Sequence, residues 1–392
     1  MAYPAGQARQ IPFFNYPALF AQDEAEYIAT IRDVLKRGAY IMQRELAEFE
    51  QALGKYLGAR HVIGVADGTM ALYGSLVAAG IKAGDEVIVP SHTFVASAAA
   101  IHHTGATPVL VECGRDHLID PVSAARAVTA RTRGIMPVHL NGRTATMDPL
   151  LDLVAKYKLI MVEDSCQAIG SKYKGRCAGT FGAAGTCSFY PSKTLGAFGD
   201  GGAILTNSDE IAEKIHLWRD HGRGPDGMVK LWGFNSRLDN VHAAILLLKL
   251  RKYDESITRR RALASLYQAR LGHLKELLLP PAPDSDPDHF DIYQNYEIEA
   301  DRRDELRTWL DQHGVKTILQ WGGHMIHEFH DLGFNVSLPA TARVAARYML
   351  LPLHTALTDD DVHYICDNIE AFYQQGRGAE REPRRVAEPQ ST

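Results

Sequence analysis

Leu159-Ile160-Met161-Val162-Glu163-Asp164 is a run of four apolar residues that closes on two acids. A short, nearly continuous apolar run of this kind reads as a β-strand buried on both faces of a mostly parallel sheet. Four similar runs precede it, over residues 61–65, 86–89, 107–111 and 134–138. Helical patterns lie between them, over 69–79, 93–103, 121–128 and 148–157. Alternating β and α units predict an α/β fold, a mostly parallel sheet sandwiched by helices.

At 392 residues the chain exceeds one comfortable core, which predicts a large and a small domain. The large α/β domain is expected over 1–250, with the N-terminal segment, and a smaller C-terminal α+β domain over 251–375. A helical pattern rich in leucine and basic residues, 239–271, joins them. The stretch Pro280-Pro281-Ala282-Pro283-Asp284-Ser285-Asp286-Pro287 reads as a loop, 292–299 as a strand and 301–313 as a capped helix. Residues 376–392 are charged, contain proline and lack apolar periodicity, so disorder is expected there.

Composition narrows the function classes. With 46% hydrophobic and 23% charged residues and a net charge of -5, the chain shows no signature of a nucleic-acid or anionic-membrane partner. No apolar run approaches the ~20 residues of a membrane span. The start, Met1-Ala2-Tyr3-Pro4, lacks the pattern of a signal peptide. Five scattered cysteines without a C-x-x-C spacing fit reduced thiols, and together these features predict a cytoplasmic protein. Cys166 has no basic sequence neighbour to activate it and reads as apolar filler.

The strand predicted over 159–162 places Asp164 at its carboxyl end, where ligands gather in open α/β sheets. About thirty residues on, Lys193 lies within Ser188-Phe189-Tyr190-Pro191-Ser192-Lys193-Thr194-Leu195-Gly196, ahead of the turn Gly199-Asp200-Gly201-Gly202. A lysine that can form a Schiff base, with a carboxylate to hold a ring nitrogen protonated, suits pyridoxal phosphate. Asp164 taken alone reads first as a strand-end acid that caps the next turn. Gly68-Thr69 opens the first helix and suits a phosphate, or is an ordinary N-cap. Ser188 offers a further hydroxyl, and Phe94 a flat face or a core side chain. Gly222-Arg223-Gly224-Pro225-Asp226-Gly227 matches G-x-G-x-x-G, but it follows a helix and carries a proline that spoils a dinucleotide site. His324, His327 and His330 are spaced for a metal but lack partner ligands in motif spacing, so no metal is expected.

Taken together the chain resembles the DegT/DnrJ/EryC1/StrS family of sugar aminotransferases, among the fold-type I pyridoxal-phosphate enzymes. The resemblance spans about 11–373. It is carried by Asp67-Gly68-Thr69-Met70-Ala71-Leu72, Gly84-Asp85-Glu86-Val87-Ile88, Thr93-Phe94, Glu163-Asp164-Ser165-Cys166-Gln167-Ala168, the block 188–202, and Gly233-Phe234-Asn235-Ser236-Arg237-Leu238. It implies that Lys193 carries the cofactor and shuttles the proton, that Asp164 pairs with the ring nitrogen and that Gln167 meets the phenolic oxygen. Gly68, Thr69 and Ser188 would hold the phosphate, with Phe94 against the ring. Asn235 would reach the cofactor of a neighbouring subunit, making the site a property of a homodimer. Arg237 is a candidate for a substrate carboxylate and His324 for the sugar pocket.

The implied reaction transfers an amino group from an amino acid, glutamate, through pyridoxamine phosphate to a nucleotide-activated keto sugar. Two rivals stand beside it: dehydration of a sugar, for which relatives carry histidine in place of the lysine, and a non-catalytic regulator or sugar-binding protein. Two departures are visible. Asp67 stands where serine or asparagine is usual, and Gln320-Trp321-Gly322-Gly323-His324-Met325-Ile326-His327 differs from the usual proline-containing stretch.

Overall fold

Helix α1 (Arg44–Leu57) leads into strand β1 (His61–Val65), and helix α2 (Gly68–Ala78) follows after two residues. The pattern repeats as β2 (Glu86–Pro90), α3 (Val95–His103) and β3 (Thr107–Val111), then β4 (Thr132–Ile135), α4 (Met147–Tyr157) and β5 (Ile160–Asp164). With β6 (Ala184–Ser188) and β7 (Gly202–Thr206) they build a seven-stranded sheet in the order β1-β7-β6-β5-β4-β2-β3. Only β7 runs against the rest, antiparallel to both β1 and β6. The pairs β2–β3, β2–β4, β4–β5 and β5–β6 are parallel. Strands β2, β6 and β7 are buried at every position, as a sheet covered on both faces requires. The computed structural model describes residues 9–379 of the chain.

The chain then enters a smaller lobe through α5 (Asn240–Leu250) and α6 (Tyr253–Leu271). There β8 (Leu277–Leu278), β9 (Tyr296–Ala300) and β10 (Tyr348–Leu351) form an antiparallel sheet in that order, covered by α7 (Arg303–Gln312) and α8 (Asp359–Ala379). Its core gathers Leu263, Tyr267, Ile298, Leu310, Ile365 and Ile369. Helix α6 belongs to both lobes: Tyr253 and Ile257 pack in the large core, Leu263 onward in the small one.

Several local expectations are corrected. The single helix expected over 239–271 breaks at Arg251–Lys252 into α5 and α6. The strand expected over 292–299 forms only from Tyr296, because Ile292 donates its N–H to Gly142 of the large lobe and Tyr293 has φ +51°. The helix expected from 301 starts at Arg303, because Arg302 takes a left-handed φ of +55°. Ile11, assigned with the N-terminal segment to the large domain, packs in the small-lobe core and bridges to Val315. Residues 376–379 finish α8, so helix replaces disorder there; the remainder of the expected tail, 380–392, lies outside the described residues. No described helix is long and apolar enough to cross a membrane.

Candidate active site

The topology gathers one edge of the sheet into a site. Gly68 follows the carboxyl end of β1, Phe94 that of β2, and Asp164 and Ser188 end β5 and β6. Because β7 is reversed, its first residue, Gly202, arrives at the same edge. A Cβ on Gly68 would stand 2.9 Å from the Ser188 Cβ and 3.2 Å from its Oγ, and one on Gly202 would collide with the Asp67 carbonyl. Only glycine fits at either place. Asp67, the unusual residue, turns its carboxylate onto its own helix and accepts the Met70 N–H at 2.8 Å. Its carbonyl accepts from Ala71. The N–H groups of Gly68 and Thr69, at the first two positions of α2, lie beyond reach of any intrahelical acceptor. Beside the Ser188 hydroxyl they form a cup with the chemistry of a phosphate site.

Asp164 is buried at the centre of this edge. Its Oδ2 accepts the Ser97 hydroxyl at 2.7 Å, and Oδ1 accepts the Cys166 N–H at 3.2 Å. Ser97 Oγ lies 2.8 Å from Thr93 Oγ1, so two hydroxyls around the start of α3 fix the carboxylate. A hydrogen bond to a charged group contributes about 1.5–3 kcal/mol. The neighbouring acid, Glu163, does different work: it accepts from His139 Nε2 at 2.9 Å and from the N–H groups of Gly179, Phe181 and Gly182. Glu163 shapes the turn, and Asp164 faces the site.

Lys193 sits on the turn between β6 and β7, and its backbone is pinned on both sides. Gln294 donates to the Ser192 carbonyl and accepts the Thr194 N–H, both at 2.8 Å. Thr194 Oγ1 lies 2.6 Å from the Tyr253 hydroxyl, and Lys249 Nζ donates to the Gly196 carbonyl at 2.6 Å. The Lys193 Nζ itself makes no hydrogen bond or ion pair among the described residues. Burial lowers its pKa, against the opposing pull of Cys166 and Asp164. A lysine held this way supplies a neutral, nucleophilic amine more readily than one on the surface. Burial, then the Asp164 charge, pushes the Cys166 thiol well above its ordinary range, which leaves it protonated and inert.

Residues 21–370 match the DegT/DnrJ/EryC1/StrS aminotransferase family. The chain belongs to that family. It is 42% identical over 314 residues to a dTDP-3-amino-3,4,6-trideoxy-alpha-D-glucose transaminase of Streptomyces venezuelae, covering 80% of this chain and 82% of the relative. The solved structure of S. venezuelae DesV in complex with a ketimine intermediate aligns with a TM-score of 0.89 at 37% identity, over 95% of this chain and 100% of that one. NtdA from Bacillus subtilis with bound cofactor PMP aligns with a TM-score of 0.87 at 29% identity, over 95% and 87%. The protein is a pyridoxal-phosphate-dependent aminotransferase of the expected fold, with pyridoxamine phosphate as its intermediate form.

The side chains of this aminotransferase fit that cofactor: a glycine-lined phosphate cup, an oriented carboxylate and an unpaired amine share one sheet edge. A polar wall closes the cleft toward the small lobe. Gln167 accepts the Asn141 N–H at 3.0 Å and an Asn295 N–H at 3.3 Å, and donates to Gln320 at 3.2 Å. Asn141 takes φ +56°, a left-handed conformation that asparagine tolerates, and its Oδ1 accepts from Asn295 and Gln320. Phe94 stays 48% exposed, its ring 6.2 Å from that of Trp321 in the atypical small-lobe stretch. A groove of about 500 Å³ runs beside it, lined by Val95 and residues 328–332.

The structure treats the remaining expected residues differently. Arg237 is ion-paired with Asp220 at 2.6 Å, so its guanidinium is engaged within the chain. Asn235 bridges to Asp220 through its backbone. His324 lies tilted beside Phe329, His327 hydrogen-bonds Ser91 and His330 meets the Phe334 carbonyl; this series converges on no common point. The G-x-G-x-x-G stretch forms a surface turn, with Arg223 bridged to Val229. Ser97, Asn141, Gln294, Asn295 and Gln320 were not singled out from sequence. Each is a polar residue whose partner lies far along the chain, so no local pattern marks it.

Proposed function

We propose that this aminotransferase carries an amino group from glutamate to the keto carbon of a nucleotide-linked sugar, in two half-reactions within one cleft. The observation that carries this reading is the unpaired amine of Lys193 on a pinned turn, beside the phosphate cup and Asp164. When bound, pyridoxal phosphate supplies a carbonyl that condenses with amines and a ring that holds an electron pair. Lys193 Nζ, whose pKa burial lowers, would hold the cofactor there. The same amine would be the base that takes a proton from the substrate carbon and the acid that returns it. Asp164 would face the ring nitrogen, and Ser97 keeps Asp164 aimed. Gly68, Thr69 and Ser188 would hold the phosphate, Phe94 would cover one ring face and Gln167 would meet the phenolic oxygen.

The acceptor class is supported by the S. venezuelae relative, whose name is that of a dTDP-sugar transaminase. The groove beside Phe94, with His324 close by in sequence, is where the sugar would lie. Arg237 would have to exchange Asp220 for a substrate carboxylate. A homodimer completes the reading, with Asn235 reaching the partner's cofactor. It is supported by an exposed apolar surface around that residue: Trp232 is 97% exposed, and Met228, Val229 and Phe234 are exposed with it.

Spectroscopy on the purified holoenzyme tests the proposal. Glutamate should bleach the visible band of the lysine-bound cofactor and release 2-oxoglutarate, and a nucleotide-linked keto sugar should restore the band and gain an amine by mass spectrometry. A band that glutamate leaves unchanged would overturn glutamate as the donor. Light scattering should give the mass of two chains.

A further inference from the structure

We propose that His92, His117 and Glu297 form a binding site for one divalent transition-metal ion of the zinc class, at the junction of the two lobes. Their ligand atoms all lie within 4.8 Å of one another, and all three residues are buried. His92 follows β2 and His117 lies in the loop after β3, both in the large lobe, while Glu297 comes from β9 of the small one. His92 Nε2 stands 3.6 Å from Glu297 Oε1, and His117 Nδ1 stands 2.5 Å from the same oxygen. Metal–ligand bonds of about 2.0–2.2 Å in a tetrahedron separate ligand atoms by roughly 3.3–3.5 Å. The first distance already fits, and the second needs to lengthen by less than about 1 Å as a metal replaces the shared proton.

Three independent features point to a ligand. His92 is 1% exposed, yet neither of its ring nitrogens has a hydrogen-bond partner. A buried polar group in that condition is disfavoured, and coordination through Nε2 removes the difficulty. Next, the surrounding groups are arranged to orient the proposed ligands. Glu299 accepts from the other ring nitrogen of His117 at 3.1 Å, and Gln320 donates to the free oxygen of Glu297 at 3.1 Å. Carboxylates behind metal-bound imidazoles fix the tautomer in this way. Finally, His117 and Glu297 line a cleft of about 300 Å³, which gives an ion a way in and a water molecule the fourth position.

The role is structural. Gln320 links Glu297 to Gln167 and Asn141 in the polar wall of the cofactor site, so the ion would hold the small lobe in register with that wall. In its absence His117 bridges the two carboxylates through its two ring nitrogens.

The test uses the full-length holoenzyme, stripped with a chelator, equilibrated with Zn²⁺ or Co²⁺ and freed of excess metal by gel filtration. The expected result is one ion per chain by elemental analysis, a metal-dependent rise in melting temperature and a tetrahedral Co²⁺ spectrum. His92→Gln and Glu297→Gln should each weaken binding at least tenfold, Glu299→Gln by 10–100-fold, and the surface change His102→Gln not at all. Retention of less than a tenth of an ion per chain, or binding that His92→Gln leaves intact, overturns the proposal. Should the variants not fold, anomalous diffraction from Zn²⁺-loaded wild-type crystals decides it: a peak among the three residues supports the site, and its absence there overturns it.

Discussion

Lys193 and His117 are two basic side chains in the interior of this aminotransferase, and the fold treats them in opposite ways. Lys193 has its backbone pinned and its amine left without a partner, and burial drives its pKa down. His117 is gripped through both ring nitrogens by Glu297 and Glu299; burial opposes its charge, but those hydrogen bonds win and lift its pKa to about 9. A buried base that is left unpaired becomes reactive, whereas one that is saturated with acceptors becomes architecture. The first belongs to chemistry at the sheet edge and the second to the seam between lobes.

Removing each group breaks the comparison most directly. Lys193→Ala should lower kcat/KM by about a thousandfold or more, since it deletes both the attachment point and the proton carrier. The same change should leave urea stability of the cofactor-free protein equal or higher, because no bond to the amine is lost. Retained turnover, or a clear loss of stability, would remove the difference between Lys193 and His117. The pH dependence follows from the lowered pKa. The neutral amine is the form that attaches to the cofactor, so the rate of reconstitution of the cofactor-free protein should rise with pH. It should level off below the ~10.4 of an ordinary lysine. A midpoint at or above that value would show that burial is not tuning Lys193.

Glu297→Gln is the counterpart at the seam. It should destabilise the metal-free protein by about 2–3 kcal/mol, because His117 keeps only one of two anionic partners in a buried place. The steady-state effect should be the smaller one, transmitted through Gln320 to the wall around Gln167. Urea unfolding of the chelated protein measures it, and an unchanged midpoint would remove His117 from the architecture.

How much of this was legible in the sequence follows the same division. Strands β1 to β5 and the placement of Asp164 could be read because each strand is a local apolar run, and Lys193 because its whole block is contiguous. The seam could not. His117 and Glu297 are 180 residues apart, and at the sheet edge the Ser97 support of Asp164 likewise spans 67 residues. Tyr296-Glu297-Ile298-Glu299-Ala300 alternates apolar and acidic residues, a pattern that normally sends the acids to water. In the fold all five residues are buried, because the large lobe covers the acidic face and meets it with His117. Sequence periodicity reports one face of one strand, and it carries no information about which lobe will cover that face. The break between α5 and α6 was missed for the opposite reason: both halves are good helix, and the kink lies at two ordinary basic residues.

Ser97→Ala probes the sheet edge more gently. It removes one hydroxyl donor to Asp164, and at about 1.5–3 kcal/mol for such a bond the activity should fall roughly ten- to a hundredfold. Ser97 is a positioning residue, so the cofactor spectrum should become more sensitive to pH in the variant, and Ser97→Thr should restore both properties. A loss of activity with an unaltered spectral titration would mean that the serine serves packing alone.

The smallest expected effect is the sharpest for the seam. His92 is buried among His117, Trp321 and Tyr348, with ring centroids 5.5–6.0 Å away, and its nitrogens are unpaired. A residue kept only for packing would be better as leucine, which fills similar space and buries no polar atom. His92→Leu should therefore stabilise the metal-free protein by about 1 kcal/mol while abolishing the stabilisation that Zn²⁺ confers on the wild type. Differential scanning calorimetry with and without Zn²⁺ separates the two contributions. If the leucine variant is instead less stable without metal, the imidazole makes contacts worth more than its unpaired nitrogens cost. His92 would then join Glu297 as plain architecture rather than stand as the group that an ion is needed to explain.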